Sequence, residues 1–99
     1  ALLGNKLSAE KAESWGMIWQ CVDDDNLMPE ALTLAEYLAT QPTKGLGKIK
    51  QLLNQSFSTS LAQQTDNEKE AMRLLGRSDD YREGVAAFME KRQPEFKGH

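Results

Sequence analysis

The chain has 99 residues, a net charge of −3, 39 % hydrophobic and 27 % charged residues, and a single cysteine. That length holds one modest core, and the composition is too apolar for wholesale disorder. Its cations are interleaved with carboxylates and the isoelectric point is about 5.1, so no basic groove for nucleic acid is expected. Mean hydropathy is −0.61 and no apolar run approaches membrane-spanning length, which excludes a membrane partner of that kind. Cys21 cannot form an internal disulfide, in keeping with a reducing cytoplasm.

In chain order, "ALLG" at the start reads as the tail of a helix already under way, with Gly4 as its stop. The chain is therefore expected to begin in mid-structure, and neither a basic n-region nor an apolar h-region of a signal peptide is present. Ser8 is a candidate N-cap for a short helix through Trp15, with Glu10 suited to its dipole and Gly16 as its stop. "MIWQCV" (17–22), bounded by Gly16 and three aspartates, has the β-branched and aromatic character of a strand. A lone strand needs a ladder partner, which must lie outside this chain or on another copy.

"DDDNLMPEALTLAEYLATQP" opens with capping residues and places Pro29 in an expected first turn. Ala31, Leu34, Ala35 and Leu38 then repeat as a core-facing stripe, and Pro42 ends the helix. Thr43 is expected to cap the next helix, where Leu46, Ile49 and Leu53 recur and Gly45 with Gly47 would admit another backbone. A longer helix follows, polar from Ala62 to Glu70, bracketed by Leu61, Met72 and Leu75 and closed by Gly76. Ser78 caps the last helix, with Asp79 and Asp80 in its first turn, Lys91 and Arg92 in its last, and Pro94 as its stop. Five helices and one short strand are expected, in a single mainly α domain over residues 1–99.

Few constellations carry chemistry. Asp23, Asp24 and Asp25 lack the glycine-spaced loop and distal glutamate of a calcium site, and read as a turn plus helix cap; no metal is expected. A Cys21–His99 nucleophile pair would need an electropositive setting that this apolar run does not offer. Trp15 and Trp19 read as core packing before they read as a stacking platform. "GLG" at 45–47 lacks the rest of a phosphate-cradling fingerprint, and no catalytic acid–base set is identifiable. On periodicity alone, Val85 and Phe88 pack in a core while Lys91 and Arg92 match the helix dipole.

Three stretches carry a resemblance. "LLGNKLSAEKAESWGMIWQCVDDD", with Ala12, Gly16 and Val22, resembles the segment that follows the active site in the crotonase (enoyl-CoA hydratase/isomerase) superfamily. "LATQPTKGLGKIKQLLNQS" resembles the next helix pair of that superfamily. "GRSDDYREGVAAFMEKRQPEFKGH" resembles its C-terminal signature, with Asp80, Arg82-Glu83-Gly84, Ala87-Phe88, Glu90-Lys91-Arg92 and Phe96 in place.

The resemblance implies the C-terminal helical, trimerisation domain of a crotonase fold, with the catalytic ββα spiral core absent from this chain. It implies a cytoplasmic acyl-CoA isomerase or hydratase (lyase) of phenylacetate or fatty acyl-CoA catabolism. Such enzymes stabilise a thioester enolate with two backbone N–H groups, use no prosthetic group, and assemble as trimers, often paired into hexamers. No catalytic residue falls on this sequence, so the chain alone is expected to be inactive. Phe88 is implied against the adenine of acyl-CoA bound by a neighbouring subunit, and Lys91 at the nucleotide phosphates. Met72 stands where hydratases commonly carry an aromatic facing the acyl pocket, which suits a bulkier acyl group. The alternative is a non-catalytic helical oligomerisation or interaction module, in which Lys91 is a surface charge.

Overall fold

In the computed structural model, which describes residues 2–99, the chain is all-helical: α1 (Ala9–Ser14), α2 (Asp24–Ala39), α3 (Thr43–Ser56), α4 (Leu61–Leu75) and α5 (Asp79–Glu90). It divides into two compact units, Ala1–Thr33 and Leu34–His99. The mainly α expectation holds.

Three helices start in the same way. The hydroxyls of Ser8, Ser60 and Ser78 accept the backbone N–H three residues on, from Lys11, Gln63 and Tyr81, at 3.2, 3.2 and 3.1 Å. Each bond satisfies one of the N–H groups a helix start leaves without an intrahelical partner. α3 departs from this pattern and from expectation. Its cap is Pro42, with no side-chain bond, and Thr43 is already the first helical residue.

In the first unit, Ala12 is the buried residue and α1 ends in a Schellman turn. Gly16, at φ +73, donates its N–H to the Glu13 carbonyl at 2.9 Å, and Met17 donates to the Ala12 carbonyl at 2.9 Å. Ala1, the first residue of the expected opening helix tail, lies outside the described residues. Leu2 and Leu3 form a turn, and Gly4 has φ +65.

The expected strand at 17–22 is not formed. Residues 17–22 are irregular, and no strand occurs among the described residues. β character in a sequence states what a segment can pair as; without a ladder there is no strand. Trp15 and Trp19 are not core residues in this chain either. Trp15 sits under the Lys11 ammonium, 5.2 Å from the ring centroid, and Trp19 is 82 % exposed.

α2 begins at Asp24, so Pro29 lies inside the helix rather than in its first turn. Its missing N–H leaves one link of the helical ladder unmade, and the Pro29 carbonyl takes an extra bond from the Thr33 hydroxyl at 2.9 Å. The stripe Ala31, Leu34, Ala35 and Leu38 is exposed, as are Leu27, Met28 and Tyr37. The spacing is right for a helix, but nothing among the described residues covers this face.

In the second unit, α3 and α4 pack along one another. The Gln64 amide ties the pair, donating to the Leu52 carbonyl at 3.3 Å while its oxygen accepts the Thr59 hydroxyl at 2.9 Å. Among the described residues, no atom outside the helix comes within 4 Å of the space a Cβ would take at Gly45 or Gly47. Apart from the half-buried Gln64 and Asn67, the polar middle of α4 is exposed, and Glu70 and Arg73 pair through two bonds of 2.8 and 2.5 Å. Ala71, Ser78, Asp80 and Ala87 are the buried residues of this unit.

Candidate functional site

The C-terminal part of α5 differs from expectation in one way that shapes the site. The helix stops at Glu90, and Lys91 adopts the left-handed conformation at φ 54. Arg92 donates its N–H to the Ala87 carbonyl at 3.0 Å, and Lys91 donates to the Phe88 carbonyl at 3.3 Å. This is the same Schellman turn that Gly16 makes, built on a lysine. Lys91 and Arg92 therefore lie beyond the last turn rather than in it. For a residue with a Cβ the left-handed position costs about 1–2 kcal/mol. Lys91 makes no ion pair or side-chain hydrogen bond among the described residues.

Arg92 is fully engaged. Its guanidinium grips Glu83 through bonds of 2.5 and 2.9 Å and reaches Glu90 at 2.6 Å. The paired guanidinium, followed by the backbone N–H of Glu95 at 2.8 Å, lowers the Glu83 carboxyl to about 2.

Tyr81, Val85 and Phe88 share one face of α5, as their spacing requires. With Leu75, Phe96 and the start of α3 at Pro42, Lys44 and Gly45, they line an open, apolar cleft of about 430 Å³. Phe88 is 82 % exposed and stands on this cleft, so the core role that periodicity offered for it is not what the structure shows.

The segment after Pro94 runs back along α5 and completes the cleft. Lys97 and Gly98 donate their N–H groups to the two oxygens of Asp80 at 2.7 and 2.8 Å. In return, Asp80 donates its own N–H to the His99 carbonyl at 2.9 Å. Between these bonds and the Glu95–Glu83 bond, the Phe96 ring lies on Gly84, where a Cβ would meet it at 3.6 Å. Asp80 is only 4 % exposed, and in the first turn of α5 its side-chain oxygens accept these two amides.

Of the residues singled out in the sequence, Phe88 lies on the last turn of α5 and Lys91 just beyond its end, joined by the Lys91 N–H to the Phe88 carbonyl. Met72 stands apart from them, 75 % exposed on α4 and not on the cleft. Asp80, Glu83 and Phe96 were legible only as a dipole charge and as parts of a motif; their shared task is visible only once the tail is seen to fold back.

Other candidates recede. Burial and then the carboxylates of Glu10, Glu13, Asp23 and Asp24 push the Cys21 thiol up, the opposite of nucleophile activation. His99 places Nδ1 3.0 Å from Asp79. Asp24 and Asp25 occupy the first turn of α2, and the Asp23 carbonyl accepts the Asn26 N–H at 2.9 Å. No described helix is long and apolar enough to cross a membrane.

Comparison with known proteins gives one consistent result. The Enoyl-CoA hydratase/isomerase family profile matches residues 1–99. The chain is 59 % identical over 98 residues to the 1,2-epoxyphenylacetyl-CoA isomerase of Escherichia coli K12, covering 99 % of this chain and 37 % of that protein. It is 33 % identical over 97 residues to the 2,3-dehydroadipyl-CoA hydratase of the same organism, covering 98 % of this chain and 38 % of that one. A crystal structure of an enoyl-CoA hydratase subunit from Geobacillus kaustophilus HTA426 superposes with a TM-score of 0.91 at 37 % identity, over 98 % of this chain and 38 % of the other. The chain thus spans 37 to 38 % of the length of these relatives. With the family profile matched from end to end and the same helical arrangement in a solved relative, this chain belongs to the enoyl-CoA hydratase/isomerase family.

Proposed function

We propose that the chain is the C-terminal helical domain of an acyl-CoA isomerase or hydratase, and that the end of α5 contacts the nucleotide of coenzyme A. The observation that carries this is the pairing of Phe88 and Lys91. Phe88 presents an exposed ring on the last turn of α5, and three residues on Lys91, whose ammonium has no ion-pair partner among the described residues, occupies a backbone position that favours glycine. A lysine standing there at a conformational cost is best accounted for by a use for its side chain. An aromatic face can bury a purine, and a flexible ammonium can meet phosphate oxygens as a point charge.

The relatives are named as enzymes acting on CoA thioesters, and the 59 % identity supports an isomerase of phenylacetate catabolism, with fatty acyl-CoA catabolism next. In that reading the enolate-stabilising N–H groups and the acid–base carboxylates belong to the remaining length of the protein, and this chain alone is inactive. Met72 faces the acyl group only once that remaining length packs against α4. The protein works in the cytoplasm without a prosthetic group.

The exposed apolar faces support a second element of the proposal, the assembly of trimers or hexamers through these helices. Large side chains left bare on α2, from Leu27 to Leu38, need cover from elsewhere in the protein or from another copy. The same faces are what a non-catalytic interaction module would show, and coenzyme A separates the two readings.

The test is calorimetric titration of the full-length protein with coenzyme A. Phe88→Ala and Lys91→Ala should each weaken binding about tenfold, and the Lys91 effect should shrink as salt rises. No binding by the wild type would leave the interaction module as the reading.

A further inference from the structure

The tail after Pro94 is held with a regularity that its own sequence does not explain. The two residues flanking Phe96 each donate a backbone N–H to a carboxylate of α5: Glu95 to Glu83 at 2.8 Å and Lys97 to Asp80 at 2.7 Å. Asp80 and Glu83 are three apart, so they lie on one side of the helix and fix the tail on either side of the ring. Gly98 adds a third N–H at 2.8 Å, and Arg92 holds the Glu83 carboxylate in place through both of its oxygens. Gly84, next to Glu83, has no side chain and leaves the ring room to lie on the helix. The result is a second aromatic ring on the cleft that already carries Phe88.

A short tail of this kind has no fold of its own. Without the two carboxylates, Phe96 would leave the wall and the cleft would be open on that side. We infer that Asp80 and Glu83 are positioning residues for ligand binding, holding Phe96 as the second aromatic wall of the cleft against the purine of coenzyme A. The inference rests on the nucleotide reading proposed above and adds to it a wall, Phe96, and the device that sets it. An apolar cleft with aromatic residues on it buries both faces of a flat base better than one exposed ring can.

The test uses the full-length protein, with coenzyme A, 3′-phospho-ADP and 4′-phosphopantetheine titrated calorimetrically against wild type, Phe88→Ala, Phe96→Ala, Phe96→Tyr and Asp80→Asn. Phe96→Ala and Asp80→Asn should raise the Kd for coenzyme A and for 3′-phospho-ADP roughly five- to fiftyfold, the range of one lost base–aromatic contact. The Kd for 4′-phosphopantetheine, which has no base, should change far less. Phe96→Tyr keeps the ring and should restore most of the affinity. A purely structural role would instead lower the fraction of protein able to bind and leave the Kd of the remainder unchanged. If Asp80→Asn does not fold, Phe96→Ala carries the test. Unchanged coenzyme A affinity in Phe96→Ala, with a loss in Phe88→Ala, overturns this inference alone. No coenzyme A binding by the wild type, or none lost in Phe88→Ala, overturns the nucleotide reading and this inference with it.

Discussion

Replacing Asp80 by alanine should release the C-terminal tail and destabilise the last helix. The buried carboxylate accepts two backbone N–H groups, from Lys97 at 2.7 Å and Gly98 at 2.8 Å. Hydrogen bonds to a charged group contribute about 1.5 kcal/mol or more each, so losing both removes about 3 kcal/mol. The carboxylate also sits in the first turn of α5, where its interaction with the helix dipole adds about 0.5 kcal/mol. Part of this is offset, because the freed tail regains backbone freedom and its amides find water. A net loss of about 2–3 kcal/mol is expected, a large fraction of the stability of a domain this size. Urea denaturation of the full-length protein measures the loss, and hydrogen exchange locates it: the amides of Lys97 and Gly98 should lose protection while those of α4 keep theirs. A loss below about 1 kcal/mol, with both amides still protected, would refute the assignment of Asp80 as the clamp.

Four further outcomes follow from this end of the chain. Gly84→Ala should stabilise by about 0.5–1 kcal/mol, because a Cβ there meets Phe96 at an ordinary 3.6 Å and the helix gains a better former. Gly98→Ala should cost about 2 kcal/mol, since its φ of +81 is left-handed and a Cβ would stand 2.5 Å from the Thr43 hydroxyl; paired thermal melts distinguish the two signs. Glu83, held at about 2 by Arg92 and the Glu95 N–H, contributes stability that is complete above its ordinary 4.5 and is lost as pH falls through about 2. The folded state binds this proton less readily than the unfolded chain, so the stability gap between wild type and Glu83→Gln should close over that acid range and stay constant above it. Lys91→Gly should relieve the left-handed strain and stabilise by about 0.5–1 kcal/mol after the extra freedom of the unfolded glycine is counted, while coenzyme A affinity falls.

Local signals in the sequence were readable where one residue type answers one backbone need. Ser8, Ser60 and Ser78 announce helix starts because a hydroxyl satisfies an orphan N–H, and Gly16 announces a stop because it enters the left-handed region freely. Lys91 makes the same turn as Gly16 without the same residue, and the helix was therefore read too long. Pro42, which caps α3 without a side-chain bond, was missed for a related reason: the cap is backbone geometry alone.

The larger differences come from partners. The period of Ala31, Leu34, Ala35 and Leu38 is right for a helix, yet a stripe says which face wants cover and not what supplies it. "MIWQCV" has the composition of a strand and no ladder to join. At the candidate site, only the resemblance to a family motif singles out Phe88 and Lys91; helical spacing alone assigns Phe88 to a core and Lys91 to the helix dipole. Phe96 and its clamp were not, because side-chain bonds to backbone spanning from Asp80 to Lys97 leave no local signature. That Glu83 pairs with Arg92, Gly84 receives the Phe96 ring and Asp80 holds the tail through Lys97 and Gly98 gives the motif a physical basis.

The central claim, that the end of α5 meets a coenzyme A nucleotide, is tested most directly by a crystal structure of the full-length protein with coenzyme A bound. The account predicts adenine against the Phe88 ring and the Lys91 ammonium within ion-pair distance, about 4 Å, of a phosphate oxygen. Adenine bound elsewhere, with Lys91 left in solvent, would contradict it.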